Sequence, residues 1–212
     1  MLISGSRRIG FIADSHGSLS ALRCGIDSLI SMKCDAIVHL GDFCDSVHLE
    51  ELGAIFDLLQ ESGIQVIKGN NDYQVEKMLR SGYSNHGVDE KRRWLSFLDK
   101  TPIMREWKNL CFAHSMPFDS IRSFYEPVDT GATDRAREIF AATEYRSLFC
   151  GHSHVPVFFR HRAGRVTRES MTAGRPVGIN SLERYIFIIG SAVNGEYGIF
   201  DMERSQYKRL TL

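Results

Sequence analysis

Three times in the first 75 residues, a short apolar run without a period ends on a polar cluster and gives way to an amphipathic helical pattern. Residues 9–13 run into Asp14-Ser15-His16-Gly17, residues 36–40 end at Gly41-Asp42, and residues 65–68 stop at Gly69-Asn70-Asn71-Asp72. Apolar runs this short and unalternated are read as strands buried on both faces. Behind a cap at Ser18 or Ser20, Leu19, Leu22, Ile26, Leu29 and Ile30 fall on one helical face. Leu49, Leu52, Ile55, Phe56 and Leu59 form a second helix, ended at Gly63. Repeated strand–helix units require right-handed crossovers and a parallel sheet, so the chain is α/β. The same geometry sets the three polar clusters along the sheet's carboxyl edge, where open α/β folds bind ligands.

The second half reads differently. Helical periodicity covers residues 88–98 and 133–142, interleaved with strands at 103–107, 110–113 and 148–150. Strand patterns follow at 157–160, 165–168, 185–189, 198–201 and 207–210. They predict an antiparallel sheet with hairpin turns at Ala163-Gly164 and Asn194-Gly195. Residues 115–131, with Pro117, Pro127, Phe118, Phe124 and Tyr125, are expected to form a long loop covering a site. No repeat or linker interrupts the chain, and 212 residues are expected to make a single domain over 1–212.

Composition narrows the function. Hydrophobic residues make up 43% of the chain, and 26 basic residues balance 26 acidic ones. That excludes a charge-driven disordered chain. It also argues against bulk nucleic-acid or anionic-membrane binding, which draws most of its affinity from excess positive charge. Cys24, Cys34, Cys44, Cys111 and Cys150 are odd in number and scattered, with no Cys-x-x-Cys pair. Reduced thiols and a cytoplasmic location are expected, with the thiols as small buried hydrophobes. No apolar run approaches the roughly 18 residues of a membrane span.

Five strand ends carry side chains of metal-ligand type: Asp14 and His16, Asp42, Asn70, His114, and His152 with His154. Imidazole and carboxylate without thiolate suit borderline metals such as Mn, Fe, Zn or Ni. Two dications bring four positive charges and Asp14 and Asp42 remove two. With a bridging hydroxide the balance is about +1, complementary to a phosphodiester monoanion.

The motifs Asp14-Ser15-His16-Gly17, Gly41-Asp42-Phe43-Cys44-Asp45, Gly69-Asn70-Asn71-Asp72, His114 and Gly151-His152-Ser153-His154 stand in that order. In this the chain resembles the calcineurin-like metallophosphoesterase family, and within it the small prokaryotic phosphodiesterase-like members. The resemblance extends through Gly190-Ser191 and Ile199-Phe200-Asp201 and so spans nearly the whole chain. It implies a four-layer α/β/β/α sandwich of two mixed sheets. It also implies two divalent metal ions, Mn first among them, with Asp14, His16, Asp42 and His154 on one ion and Asp42, Asn70, His114 and His152 on the other. The activity implied is hydrolysis of a small phosphate ester, a nucleotide among the options, by a metal-bridged hydroxide, with His16, Asn70 and His114 as the catalytic side chains.

Three departures bear on the substrate. Asn71 stands where many members have a His, and an amide cannot protonate a leaving group. The proton is then expected from His16 or water, as suits the small prokaryotic members. No Arg follows Asp45 as it does in protein serine/threonine phosphatases, and Ser115 replaces a usual Gly. A phosphodiesterase is the expectation. The alternatives are a nucleotide phosphatase or dinucleoside polyphosphate hydrolase and, in another class, a noncatalytic scaffold of the same fold.

The other polar residues are read more plainly. His39, inside a strand, is expected to be packed, and His48, His86 and His161 to lie at the surface. Asn71 and Asp72 are expected to cap a helix beginning near Tyr73, and Asp45 or Ser46 the one before it. Arg160, Arg162, Arg165 and Arg168 straddle a turn and are expected to form a solvated hairpin.

Overall fold

The computed structural model describes residues 5, 7–82, 87–120 and 122–211, with Phe124 described in its backbone alone. The elements in chain order are β1 (Arg8–Ile12), α1 (Leu19–Ser31), β2 (Ala36–His39), α2 (Leu52–Ser62), β3 (Gln65–Val66), α3 (Asn70–Ser81) and α4 (Val88–Lys100). They continue with β4 (Met104–Trp107), β5 (Leu110–Ala113), α5 (Arg122–Tyr125), α6 (Asp134–Ala142), β6 (Ser147–Cys150), β7 (Val157–Arg162) and β8 (Arg165–Ser170). The last are β9 (Pro176–Gly178), β10 (Arg184–Ile188), a 3-10 turn at Ala192–Asn194, β11 (Glu196–Asp201) and β12 (Gln206–Thr211).

The strands form two six-stranded mixed sheets, ordered β3-β2-β1-β11-β12-β9 and β4-β5-β6-β10-β7-β8. β1, β2 and β3 are parallel, as the opening repeats require, whereas β11 runs antiparallel against β1 with Arg8 opposite Asp201. In the second sheet β5, β6 and β10 are parallel and the flanking strands antiparallel.

Strands buried on both faces need three apolar layers, and the chain supplies them. Phe11, Val38 and Phe200 of the first sheet meet Phe112, Phe149 and Phe187 of the second in the middle layer. The Phe149 ring stacks on Phe11 at 4.4 Å and on Phe187 at 5.3 Å between centroids. Ile12 and Ile37 turn the other way and pack against α1 to α4 through Leu22, Ile55, Val75 and Trp94. Leu148 and Ile186 pack against Ile139 and Phe140 of α6. The result is the α/β/β/α sandwich. Each large apolar side chain so buried contributes about 1.5–3 kcal/mol. No helix among the described residues is long and apolar enough to cross a membrane.

Several local expectations are corrected. The late strands do not form one antiparallel sheet but divide between the two. Ala163-Gly164 does close the β7–β8 hairpin, both residues being left-handed. Asn194-Gly195 joins strands of different sheets, so that turn is a crossing point and not a hairpin. β9, three residues long, carried too little pattern to be read. α3 begins at Asn70 with Gly69 as its cap, so Asn71 lies inside the helix; Asp72 accepts from the Gly69 amide at 2.8 Å. Glu51, not Asp45 or Ser46, precedes α2, and Asp45 instead accepts from the Val47 amide in a local turn. Ser18 caps α1, accepting from Ala21, while Ile30 is 58% exposed because the sheet occupies only part of the helical face.

Cys44, Cys111 and Cys150 are buried as expected, but Cys24 is exposed and Cys34 half-buried; all five are free thiols. His48 is exposed, His161 is half-buried with its ring stacked on Phe140, and His86 lies outside the described residues. Three of the four hairpin arginines face carboxylates. Arg160 faces Glu169 and Glu183, Arg162 faces Glu183, and Arg168 forms a bidentate pair with Asp129.

Candidate metal centre

The loops after β1, β2 and β3 leave one sheet, and those after β5 and β6 the other, at the same end of the sandwich. Backbone hydrogen bonds stitch them together. Asp14 donates to Gly41 at 3.0 Å, His16 to Asp42 at 2.9 Å, and Gly151 to His114 at 3.0 Å. The Ser191 hydroxyl donates to the Asp14 carbonyl at 2.8 Å, tying in the crossing between sheets.

Two groups of side chains result. In the first, the Nε2 atoms of His16 and His154 lie 2.9 Å apart. Asp14 Oδ1 is 3.3 Å from His154 Nε2 and 3.9 Å from His16 Nε2. In the second, His114 Nε2 is 3.1 Å from Asn70 Oδ1, 3.1 Å from His152 Nδ1 and 3.5 Å from Asp42 Oδ2. The donor atoms of Asp14, Asp42 and His114 all lie within 4.8 Å of one another, so the two groups are contiguous. All seven side chains singled out in the sequence meet at this edge.

Hydrogen bonding bears on whether this set suits a cation. The Leu40 carbonyl lies 2.9 Å from His114 Nδ1. A carbonyl only accepts, so Nδ1 carries a proton, and unless the ring takes up a second one Nε2 turns a lone pair toward Asn70 Oδ1 and Asp42 Oδ2. Acceptors so close repel unless a proton or a cation sits among them. Asp14 Oδ1 is buried and makes no hydrogen bond, although Asp14 Oδ2 accepts from the His152 amide at 2.9 Å. A buried, unpaired carboxylate oxygen beside two imidazoles is costly without positive charge. The donor chemistry therefore fits divalent ions of the borderline class. Cys44 and Cys150 do not join: Cys44 packs in the helical layer and Cys150 Sγ faces the Phe187 carbonyl.

The charges tell the same story. Burial pushes the Asp14 carboxyl up, but the adjoining His154 ring and positive charge on His114 and His154 outweigh it and hold it below its ordinary range. The adjoining Asp14 carboxylate raises His154. His114 is lowered by burial yet raised on balance by Asp42 and Asp14. Burial, with repulsion from His114, takes His152 down to about 4. The carboxylates that draw protons onto His114 and His154 draw cations as well.

Backbone geometry marks the same residues. Asp14, His16, Asp42, His152 and His154 all have φ between 42° and 71°. Left-handed backbone outside glycine costs free energy and collects at functional sites. Close approach explains two neighbouring glycines. A Cβ at Gly41, itself at φ 98°, would lie 2.6 Å from His114 Nδ1; one at Gly69 would overlap the Asp42 carboxylate and lie 2.5 Å from its amide nitrogen.

Supporting residues surround the seven. Asp72 is fully buried and accepts from the amides of Asp42, Cys44 and Gly69, each at 2.8 Å, locking the second and third loops together. Burial and the Asp42 charge raise it to about 7. His39 is packed as expected: Gly41 donates to its Nδ1 at 3.3 Å, so Nε2 carries the proton toward Ser15 Oγ at 3.0 Å. Burial takes it down to about 3, so it stays neutral. Asn71 donates to Asp42 from both its amide nitrogen and its Nδ2, each at 2.8 Å, a role the capping expectation missed. The placement of Asp72 beside Asn70 was the one signal of its part in the sequence.

A family model described as the calcineurin-like phosphoesterase superfamily domain matches residues 8–176, and the chain belongs to that superfamily. No curated protein matches the sequence. Among solved structures, a metallophosphoesterase from Sphaerobacter thermophilus superposes with a TM-score of 0.75 at 20% identity, over 98% of this chain and 89% of its own. A structure described as a novel archaeal phosphodiesterase gives 0.53 at 16% identity, over 97% and 99%. At such identities the likeness is one of fold.

Proposed function

We propose that this protein is a metal-dependent phosphodiesterase of the cytoplasm acting on a small phosphate ester. In this reading Asp14, His16, Asp42 and His154 hold one divalent ion, Mn first among the choices, and Asp42, Asn70, His114 and His152 hold a second, with Asp42 shared. When bound, such ions activate water and neutralise charge developing on the phosphoryl oxygens. The observation that carries the reading is the convergence of ring nitrogen and carboxylate oxygen atoms from five strand ends, in a superfamily of phosphoesterases.

The chain's own residues have separate tasks. Leu40 fixes the His114 ring, and Asp72, His39 and Ser15 fix the loops, so the groups are oriented before substrate arrives. Asn71 is spent on Asp42 and has no proton to give. His16 is partly buried at the mouth, and with its Nε2 turned to the ion the proton for the leaving oxygen would come from its other ring nitrogen or from water. Two carboxylates among two dications leave a positive site, which favours a diester monoanion. Five free cysteines support a reducing compartment.

The test is hydrolysis of bis-p-nitrophenyl phosphate beside p-nitrophenyl phosphate by chelator-treated protein, with and without Mn²⁺. Diester cleavage restored by Mn²⁺ and lost at least about 100-fold in Asp42→Asn is expected. Monoester preference would move the assignment to a nucleotide phosphatase. Metal binding with neither activity would favour a noncatalytic scaffold, and a fully active Asp42→Asn would overturn the ligand assignment.

A further inference from the structure

The segment expected to cover the site is a braced strap. Ser115 Oγ donates to the Glu126 carbonyl, Arg122 pairs with Glu126 and Glu138, and Arg168 holds Asp129 at 2.7 Å through two bonds. Met116 and Val128 of the strap are buried, yet Tyr125 is 42% exposed. Three contacts locate it. Its hydroxyl accepts from Gln74 Nε2 at 2.9 Å. Gln74 stands one turn after Asn70 on the same face of α3. The Tyr125 carbonyl accepts a hydrogen bond from the His152 ring. Asn70 and His152 both touch His114 Nε2. The tyrosine therefore spans from the His152 side of the site to the next turn of α3.

We propose that Tyr125, braced by Gln74, is the platform on which the planar base of a nucleoside phosphate substrate stacks. The inference rests on the phosphoesterase reading and names its substrate class. A ring held at its hydroxyl and at its backbone loses little freedom when a ligand binds, so stacking is realised nearly in full. A base on an aromatic side chain improves affinity by about 5- to 150-fold. The phosphate of the same ligand reaches the seven converging side chains while its base lies on the strap.

AMP and ribose 5-phosphate share the phosphate and the sugar and differ by the base. Calorimetric titration of both into Mn²⁺-loaded protein isolates the stacking contribution. The expected result is AMP binding about 5- to 150-fold tighter than ribose 5-phosphate. In Tyr125→Ala the gap closes with ribose 5-phosphate affinity kept, and in Tyr125→Phe, which keeps the ring and loses the Gln74 brace, the gap narrows without closing. Equal affinities in the wild type, or a gap surviving Tyr125→Ala, would overturn the proposal. Ribose 5-phosphate binding that weakens in Asp42→Asn reports the phosphate site separately. If the wild type binds neither ligand the base platform falls, and the phosphoesterase reading is then judged separately by Mn²⁺-restored diester cleavage.

Discussion

At the scale of single residues, the centre depends on atoms that leave no room. Gly69 approaches Asp42 so closely that a methyl group must displace the carboxylate or the α3 cap. Gly69→Ala is therefore expected to weaken Mn²⁺ binding at least about 10-fold while leaving the far-ultraviolet spectrum native, because coordination punishes sub-ångström shifts. Calorimetric Mn²⁺ titration beside circular dichroism checks it; unchanged affinity would show that Asp42 tolerates the displacement. The ligand-type side chains themselves were legible in the sequence, since each stands directly after an apolar run. The left-handed backbone of five of them was not, because a non-glycine residue at positive φ has no local signature. Nor were the partners supplied from far along the chain, such as Ser191 for Asp14.

At the scale of elements, the parallel half was legible from periodicity alone, because buried strands and amphipathic helices differ plainly in their apolar spacing. The antiparallel half, β9 apart, was legible as strands but not as sheets. Residues in β10 and β11 have similar patterns, and only tertiary packing decides which sheet takes each. The strap over residues 115–131 belongs to this scale too. Its Asp129 carboxyl is held below the ordinary 3.8 by hydrogen bonds from Arg168, with burial opposing. A lowered carboxylate contributes stability that is complete above its unfolded value and lost as pH falls through its folded one. The strap is thus expected to loosen below about pH 4, and Asp129→Asn to loosen it already at neutral pH. Hydrogen exchange across residues 115–131 between pH 7 and 3 measures this; identical protection in the variant would remove the ion pair from the account.

At the scale of the whole molecule, the two sheets are joined in the middle layer by stacked aromatics and at one edge by the candidate centre. Phe149 stands at the centre of that stack, and Phe149→Ala is expected to cost about 3–5 kcal/mol, seen as a lower urea midpoint. Against a total stability of about 5–15 kcal/mol, that loss reaches the margin of folding. Metal removal is expected to act on the same scale. An ion at 100 times its dissociation constant contributes about 2.7 kcal/mol, or roughly 5–10 °C in Tm for a chain of this size. Chelation should produce that drop in the wild type and not in Asp42→Asn, as followed by calorimetry. An equal drop in both would place the ions elsewhere.

The crossing at residues 189–196 has a consequence during synthesis. β1 takes β2 on one side almost at once, but its other neighbour, β11, pairs Asp201 with Arg8 across 193 residues of chain. At about 5–20 residues per second, a ribosome needs roughly 10–40 s to deliver it. Through that interval the nascent chain presents β1 with one side unpaired and Phe11 without the completed second sheet. That open edge is the stretch of polypeptide most in need of a chaperone's cover, and translation pauses before β11 lengthen its exposure.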